Sequence, residues 1–125
     1  MIVIDASAFL DAVDGRRAVI DRIDGEDLHA PHLLDVEVLS ALRRLVASKR
    51  LDDDRAAGVR NVLARADIRR HPHTPLIDRI WSLRQTVSAY DATYLALASV
   101  LDAPLVTTDR KLASLSGLPC TVEVP

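Results

Sequence analysis

The 125-residue sequence has one cysteine, Cys120, and only four aromatic residues, Phe9, Trp81, Tyr90 and Tyr94. A single cysteine rules out an internal disulfide and a zinc site built on cysteines, and it fits a reducing, cytoplasmic setting. So few aromatics count against the base-stacking platform of an RRM- or OB-type binder, and against the sugar-stacking surface of a carboxylate-pair glycosidase. No apolar run reaches membrane-spanning length. Residues 2–4 are too short for a signal peptide and lack a preceding basic segment, so no membrane association is expected. Lysine is scarce, two residues against 14 arginines, and the formal net charge is −2. That balance argues against holding duplex DNA by bulk electrostatics, and no direct DNA binding is expected. The average conceals segregation, with acids gathered at 21–27 and 52–54 and bases at 43–50 and 65–70, which leaves room for another nucleic-acid partner.

What is present reads as a single domain over 1–125, without linker, repeat or low-complexity tract. Ile2, Val3 and Ile4 form an unbroken β-branched run, the pattern of a strand buried on both faces in the middle of a parallel sheet. Asp5 ends it, Ser7 follows, and Ala8, Phe9, Leu10 and Val13 open a helical period. A carboxylate at the tip of a buried strand is either a helix cap or a group with something to bind. A short helix over 16–23 and a brief strand over 28–30, stopped by Pro31, come next. A long helix then runs from Leu33 through Leu34, Val38, Leu42, Leu45 and Val46. Glu37 lies in its early turns at the edge of the apolar stripe, an odd place for a solvent-facing acid, though snorkelling or capping would also account for it.

Asp52, Asp53 and Asp54 read as the solvated start of a helix that continues to Ala66, and 67–71 as a short edge strand. His29, His32, His71 and His73 lack a helical ligand spacing and read as loop histidines rather than metal ligands. Pro75 opens a helix carrying Ile77, Ile80, Trp81 and Leu83, with Trp81 expected to pack inward. Ser88 and Asp91 stand at capping-box spacing at the head of a helix whose small residues, Ala92, Ala96 and Ala98, suit close packing on a sheet. Leu105 and Val106 then repeat the opening form: a strand, Thr107 and Asp109 at its end, and a helix from Arg110. A last strand is expected over 120–124.

Alternating strands and helices call for an α/β fold with a mainly parallel sheet of about five strands, helices on both faces and right-handed crossovers. Ligands of such sheets bind outside the carboxyl ends of the strands. Asp5 and Asp109 stand at strand carboxyl ends, while Glu37 and Asp91 stand near the amino ends of helices that run antiparallel to the strands. All four are therefore expected at one rim. Clustered carboxylates raise one another's pKa unless a cation sits among them, and all-oxygen ligation selects Mg²⁺ or Mn²⁺. The chemistry that follows is metal-assisted phosphoryl transfer.

The segments Asp5-Ala6-Ser7, Ser-Ala-Tyr-Asp91-Ala-Thr-Tyr-Leu-Ala-Leu-Ala and Leu-Val-Thr107-Thr-Asp109-Arg-Lys-Leu, with a helical Glu37 between the first two, together resemble a PIN-domain ribonuclease. They are most similar to the VapC toxins of bacterial VapBC toxin–antitoxin pairs. The resemblance implies a PIN-like three-layer sandwich and a catalytic quartet, Asp5, Glu37, Asp91 and Asp109, holding Mg²⁺ or Mn²⁺. Ser7 and Thr107 match the hydroxyl positions that support the carboxylates or the metal's waters. It further implies endonucleolytic cleavage of RNA that inhibits translation or growth, a homodimer, and inhibition by a cognate VapB-type antitoxin. RNA must reach an acidic cleft, so phosphate contacts are expected from its margins. Arg43 and Arg44 follow Glu37 along its helix, and Arg110 and Lys111 follow Asp109; the last two are expected to matter more than Arg69 or Arg70. A receiver-like signalling domain or a non-catalytic partner-binding domain of the same architecture is the alternative, although a receiver would want paired acids after the first strand, where Ala6 and Ser7 stand.

Overall fold

The computed structural model describes residues 1–125. Five strands form one sheet: β1 (Ile2–Ile4), β2 (Leu28–Pro31), β3 (Ile68–His71), β4 (Leu105–Val106) and β5 (Val122–Glu123). Their spatial order is β3-β2-β1-β4-β5, and every neighbouring pair is parallel. The mainly parallel expectation becomes an all-parallel sheet, and the last strand is shorter than the sequence pattern implied. Val3 sits between His29 on one side and Leu105 on the other, which makes β1 the central strand. All three β1 residues are buried, as a strand covered on both faces must be.

The chain runs outward from β1 through β2 to β3, then returns to the opposite side of β1 through β4 to β5. With right-handed crossovers, this reversal puts the helices of the two halves on opposite faces. The first half carries α1 (Ala6–Val13), α2 (Arg17–Ile23), α3 (Leu33–Ala47) and α4 (Asp53–Arg65). The second carries a 3₁₀ turn (Thr74–Leu76), α5 (Ile77–Ser82), α6 (Ala89–Leu101) and α7 (Arg110–Ala113). The reversal falls between β1 and β4, so their carboxyl ends flank the crevice where ligands of open α/β sheets bind.

Helix α6 is buried continuously from Ala92 to Ala98, because it packs against β1, β2 and β4 on one side and α5 on another. The main core joins Ile2, Val3, Ile4, Leu34, Val38, Tyr94, Leu95, Leu105 and Val106, each at most 2% exposed. No helix is long and apolar enough to cross a membrane.

Two expectations change. His29 and His71 are not loop residues: they lie on β2 and β3, two register steps apart on one face of the sheet. His29 is 3% exposed, its Nδ1 lies 2.8 Å from His71 Nε2, and its Nε2 lies 2.9 Å from Asp27 Oδ2. Both nitrogens of His29 are thus engaged by protein groups, a structural chain across a parallel edge. His32 and His73 do lie between elements. Trp81, expected to pack inward, is 67% exposed with the Arg84 guanidinium 4.8 Å from its ring centroid. The helix that carries it is only six residues long, and Ile80 and Leu83 make its core contacts instead.

Candidate active site

Asp5 is the most fully built group at the carboxyl edge. Its backbone N–H donates to Val106 O at 3.3 Å, which ties the end of β1 to β4. Its carboxylate caps α1, accepting from the Ala8 N–H at 2.9 Å and the Ser7 hydroxyl at 2.7 Å on Oδ1, and from the Thr107 hydroxyl at 2.5 Å on Oδ2. Thr107 is wholly buried, and its Oγ1 also accepts the Asp109 N–H at 3.0 Å. Ser7 Oγ lies 3.2 Å from Thr107 Oγ1 and accepts the Thr108 N–H at 3.0 Å. The two hydroxyls therefore lock the ends of β1 and β4 into one unit and hold the Asp5 carboxylate at a fixed angle. Burial pushes the Asp5 pKa up; the Thr107, Ala8 and Ser7 hydrogen bonds oppose that, and the charge of Asp109 adds to it.

Asp109 caps α7 through Oδ1, which accepts from the Lys111 N–H at 2.9 Å and the Leu112 N–H at 3.4 Å. Its second oxygen makes no hydrogen bond. At the head of α6 the capping box is half made: Ser88 Oγ accepts the Asp91 N–H at 3.2 Å, while the Asp91 carboxylate accepts nothing. That frees it from the local role that could have explained it. Burial raises its pKa, and the charges of Asp109 and Asp5 raise it further.

Glu37 comes from the second turn of α3 and is half-buried. Burial lifts its pKa; nearby Tyr94 and Arg44 lower it, while Asp91 and Asp5 raise it. These effects couple Asp5 with Asp109, Asp91 with both, and Glu37 with Asp91 and Asp5. None of the four takes part in any ion pair of the protein.

Tyr94 is the residue that the sequence pattern did not single out for the site. It lies one turn after Asp91 on α6, is 2% exposed, and its hydroxyl is the one buried side-chain polar atom without a hydrogen-bond partner. Burial, then Glu37, then Asp5 and Asp91 all hold the phenol neutral, so its oxygen feels the charge of three of the four acids. It approaches Glu37 closely enough to favour the charged carboxylate, but not in hydrogen-bond geometry. The i, i+3 spacing from Asp91 was the available signal; it placed the ring on the right helical face without saying what lay above it.

The donor set suits a hard divalent cation: carboxylate oxygens with free lone pairs, hydroxyls behind them, and no sulfur or imidazole at the rim. No three acidic, histidine or cysteine side chains stand together as a ready-made metal site. A site short of a full protein ligand set still suits Mg²⁺, which keeps several waters and takes only one or two carboxylates beside substrate phosphates.

Among the basic residues expected at the margins, Arg110 and Lys111 are exposed and unpaired, and so are Arg43 and Arg44. Arg70 is committed elsewhere: its guanidinium grips Asp35 with Nε 3.0 Å from each carboxylate oxygen and Nη2 2.9 Å from Oδ1. It also donates to Leu63 O and Ile68 O.

An all-parallel five-stranded sheet with acids at the carboxyl edge of its switch point defines the class, and the profile of the PIN domain matches residues 2–118. Ribonuclease VapC1 of Mycobacterium tuberculosis is 43% identical over 127 residues, covering 98% of this chain and 96% of that protein. Among solved structures, PAE2754 from Pyrobaculum aerophilum superposes with a TM-score of 0.73 at 24% identity, covering 97% of this chain and 82% of that one. A toxin–antitoxin complex from Klebsiella pneumoniae superposes with a TM-score of 0.68 at 18% identity, covering 97% and 99%. This chain belongs to the VapC ribonucleases of the PIN-domain family.

Proposed function

We propose that this protein is the toxin of a type II toxin–antitoxin pair: an endoribonuclease that depends on Mg²⁺ or Mn²⁺, acts as a homodimer and is silenced by a VapB-type antitoxin. The reading is supported by the electrostatic coupling of Asp5, Asp91 and Asp109, and of Glu37 with Asp91 and Asp5, across four distant segments with no ion pair to any of them. The names of its VapC relatives and the fold shared with a toxin–antitoxin complex support the reading.

The four carboxylates would hold the cation, with Ser7 and Thr107 fixing Asp5 and the acids leaving positions for water and phosphate. A bound divalent ion would neutralise charge developing on the phosphodiester and favour ionisation of a water. The protein's own part is positioning. Asp5, pinned by three donors, sets the geometry of the cleft. Asp91, whose carboxylate accepts no hydrogen bond within the protein, and Glu37 would orient the attacking water and take up the proton it releases. Water's oxygen bonds to phosphorus, the phosphorus–oxygen bond to the leaving ribose breaks, and a proton ends on the leaving oxygen. Arg110 and Lys111 beside Asp109, and Arg44 on α3, would meet flanking phosphates, whereas Arg43 lines a separate groove.

The deciding experiment is cleavage of end-labelled total RNA by antitoxin-free protein with Mg²⁺ or Mn²⁺, beside EDTA and Asp91→Asn controls. Discrete fragments that disappear in both controls are expected. Intact RNA with either metal, from folded protein, would favour a binding module over an enzyme.

A further inference from the structure

A groove of about 370 Å³ opens beside the acid cluster, lined by Leu33, Val36, Glu37, Ser40, Arg44 and Tyr90. Its volume is that of a small-ligand site. Helix α3 builds one wall, because Leu33, Glu37, Ser40 and Arg44 recur at helical spacing along one face. The other wall is Tyr90 in the first turn of α6, the residue immediately before Asp91. The groove therefore includes one of the four acids, Glu37, and is bounded by the chain neighbour of another, Asp91.

Its surface chemistry is unsatisfied in two ways. Tyr90 is 62% exposed and Val36 64%, and the Tyr90 hydroxyl makes no hydrogen bond, so a planar ring and an apolar patch stand open next to a polar cleft. Arg44 has no carboxylate partner, and its one side-chain hydrogen bond is from Nη1 to Ser40 Oγ at 3.2 Å. The helix places Arg44 seven residues beyond Glu37, about 10 Å along the axis. One strand could touch both. Arg43, a residue earlier, turns away and lines a separate groove with Arg60 and Asp53.

We propose that this groove is a subsite for one nucleotide flanking the scissile phosphate, with the Arg44 guanidinium on a phosphate and the Tyr90 ring against the base. The inference rests on the ribonuclease reading above. A free guanidinium selects an anion, an exposed aromatic face selects a planar ring, and a nucleotide supplies both in one unit of the groove's size. An acidic peptide would satisfy Arg44 and leave Tyr90 without a matching planar group.

The test measures binding of a short fluorescein-labelled, random-sequence single-stranded RNA to Asp91→Asn protein carrying second substitutions, across a salt titration. Tyr90→Ala should weaken binding about tenfold, and Tyr90→Phe should restore it, because stacking needs the ring and not the hydroxyl. Arg44→Ala should lower the slope of log Kd against log salt by about 0.7, the release expected for one phosphate contact on a single strand, and Arg43→Ala should change it less. In otherwise native enzyme, both Tyr90→Ala and Arg44→Ala should raise KM more than they lower kcat. Unchanged RNA affinity and salt slope in both variants, while the parent enzyme still cleaves RNA, overturns the subsite and leaves the ribonuclease reading standing. Loss of antitoxin binding with RNA binding intact also overturns it, and makes the groove a protein-docking surface. Failure of the parent to cleave RNA with either metal removes both.

Discussion

Asp35 and Glu37 stand two residues apart on α3 and face opposite fates. Asp35 is closed off by Arg70, which holds both its oxygens and spends its remaining donors on the carbonyls of Leu63 and Ile68. That arrangement stitches α3 to the end of α4 and to β3. Glu37 forms no ion pair and no hydrogen bond in the geometric sense; Arg44 only tempers the charges of Asp91 and Asp5 on it, and the Tyr94 hydroxyl lies near it. A carboxylate with its cation in place has completed its interactions inside the protein. A group of carboxylates with raised pKa values and no ion-pair partner has not, and it stays open to a partner from outside.

The largest test of that contrast is on activity. Asp91→Asn should reduce RNA cleavage by at least about a hundredfold while the thermal transition stays cooperative, because several kcal/mol of charge stabilisation depend on the acids. Wild-type cleavage rates in this variant, with full metal dependence, would place the chemistry elsewhere. Arg70→Ala should do the reverse. It strips partners from Asp35 and from two carbonyls, and after allowance for the partly exposed pair it should cost about 2 kcal/mol in a denaturant titration. Cleavage per folded molecule should be kept.

Thr107→Val comes next. It removes the donor to Asp5 Oδ2 at nearly constant volume, and should lower Mn²⁺ affinity or cleavage about tenfold, since orienting partners of ligands typically matter by that factor. Titration of metal affinity separates this from simple loss of fold.

A smaller effect concerns pH in metal-free protein. Asp5, Glu37 and Asp91 have folded-state pKa values above their ordinary ones, so the folded form binds protons more readily than the unfolded form. Their contribution favours folding below the ordinary carboxylate range and is lost as pH rises through the raised values. Relative to Asp91→Asn, the apo protein should therefore lose stability between acid and neutral pH. Mn²⁺ should raise its Tm more at neutral pH than in acid. Equal metal stabilisation at both would argue that the acids do not bind the ion. The smallest effect is expected from Tyr94→Phe, which deletes a buried hydroxyl that has no partner. Stability should change by less than about 0.5 kcal/mol, with any change in Mn²⁺ affinity reporting on Glu37.

Much of this site can be read along the chain because its signals are local. An apolar triplet running into Asp5, and Leu105 and Val106 running into Thr107 and Asp109, mark two buried strands with polar tips. The alternation of strands and helices puts those tips at one edge. The same logic carried Glu37 and Asp91 to that edge through the direction of their helices. Other features depend on contacts that pattern does not encode. Asp5 and Asp109 do cap helices, as a bland reading would have it, and only the tertiary hydrogen bonds decide that both oxygens of Asp5 are engaged while one of Asp109 stays free. The half-made capping box at Ser88 and Asp91 belongs to the same group.

Composition and periodicity were enough for the class of fold and the buried central strand, because burial and strand–helix alternation leave a mark on neighbouring residues. Whether Trp81 faces inward, whether His29 meets His71, and whether Arg44 rather than Arg43 shares a groove with Glu37 were settled by packing. A helix turns about 100° per residue, so neighbours such as Arg43 and Arg44 point to different surroundings. The pairing of β2 with β3 brings together residues 42 positions apart. Such distances have no signature in a linear pattern. They are fixed by how the chain closes on itself.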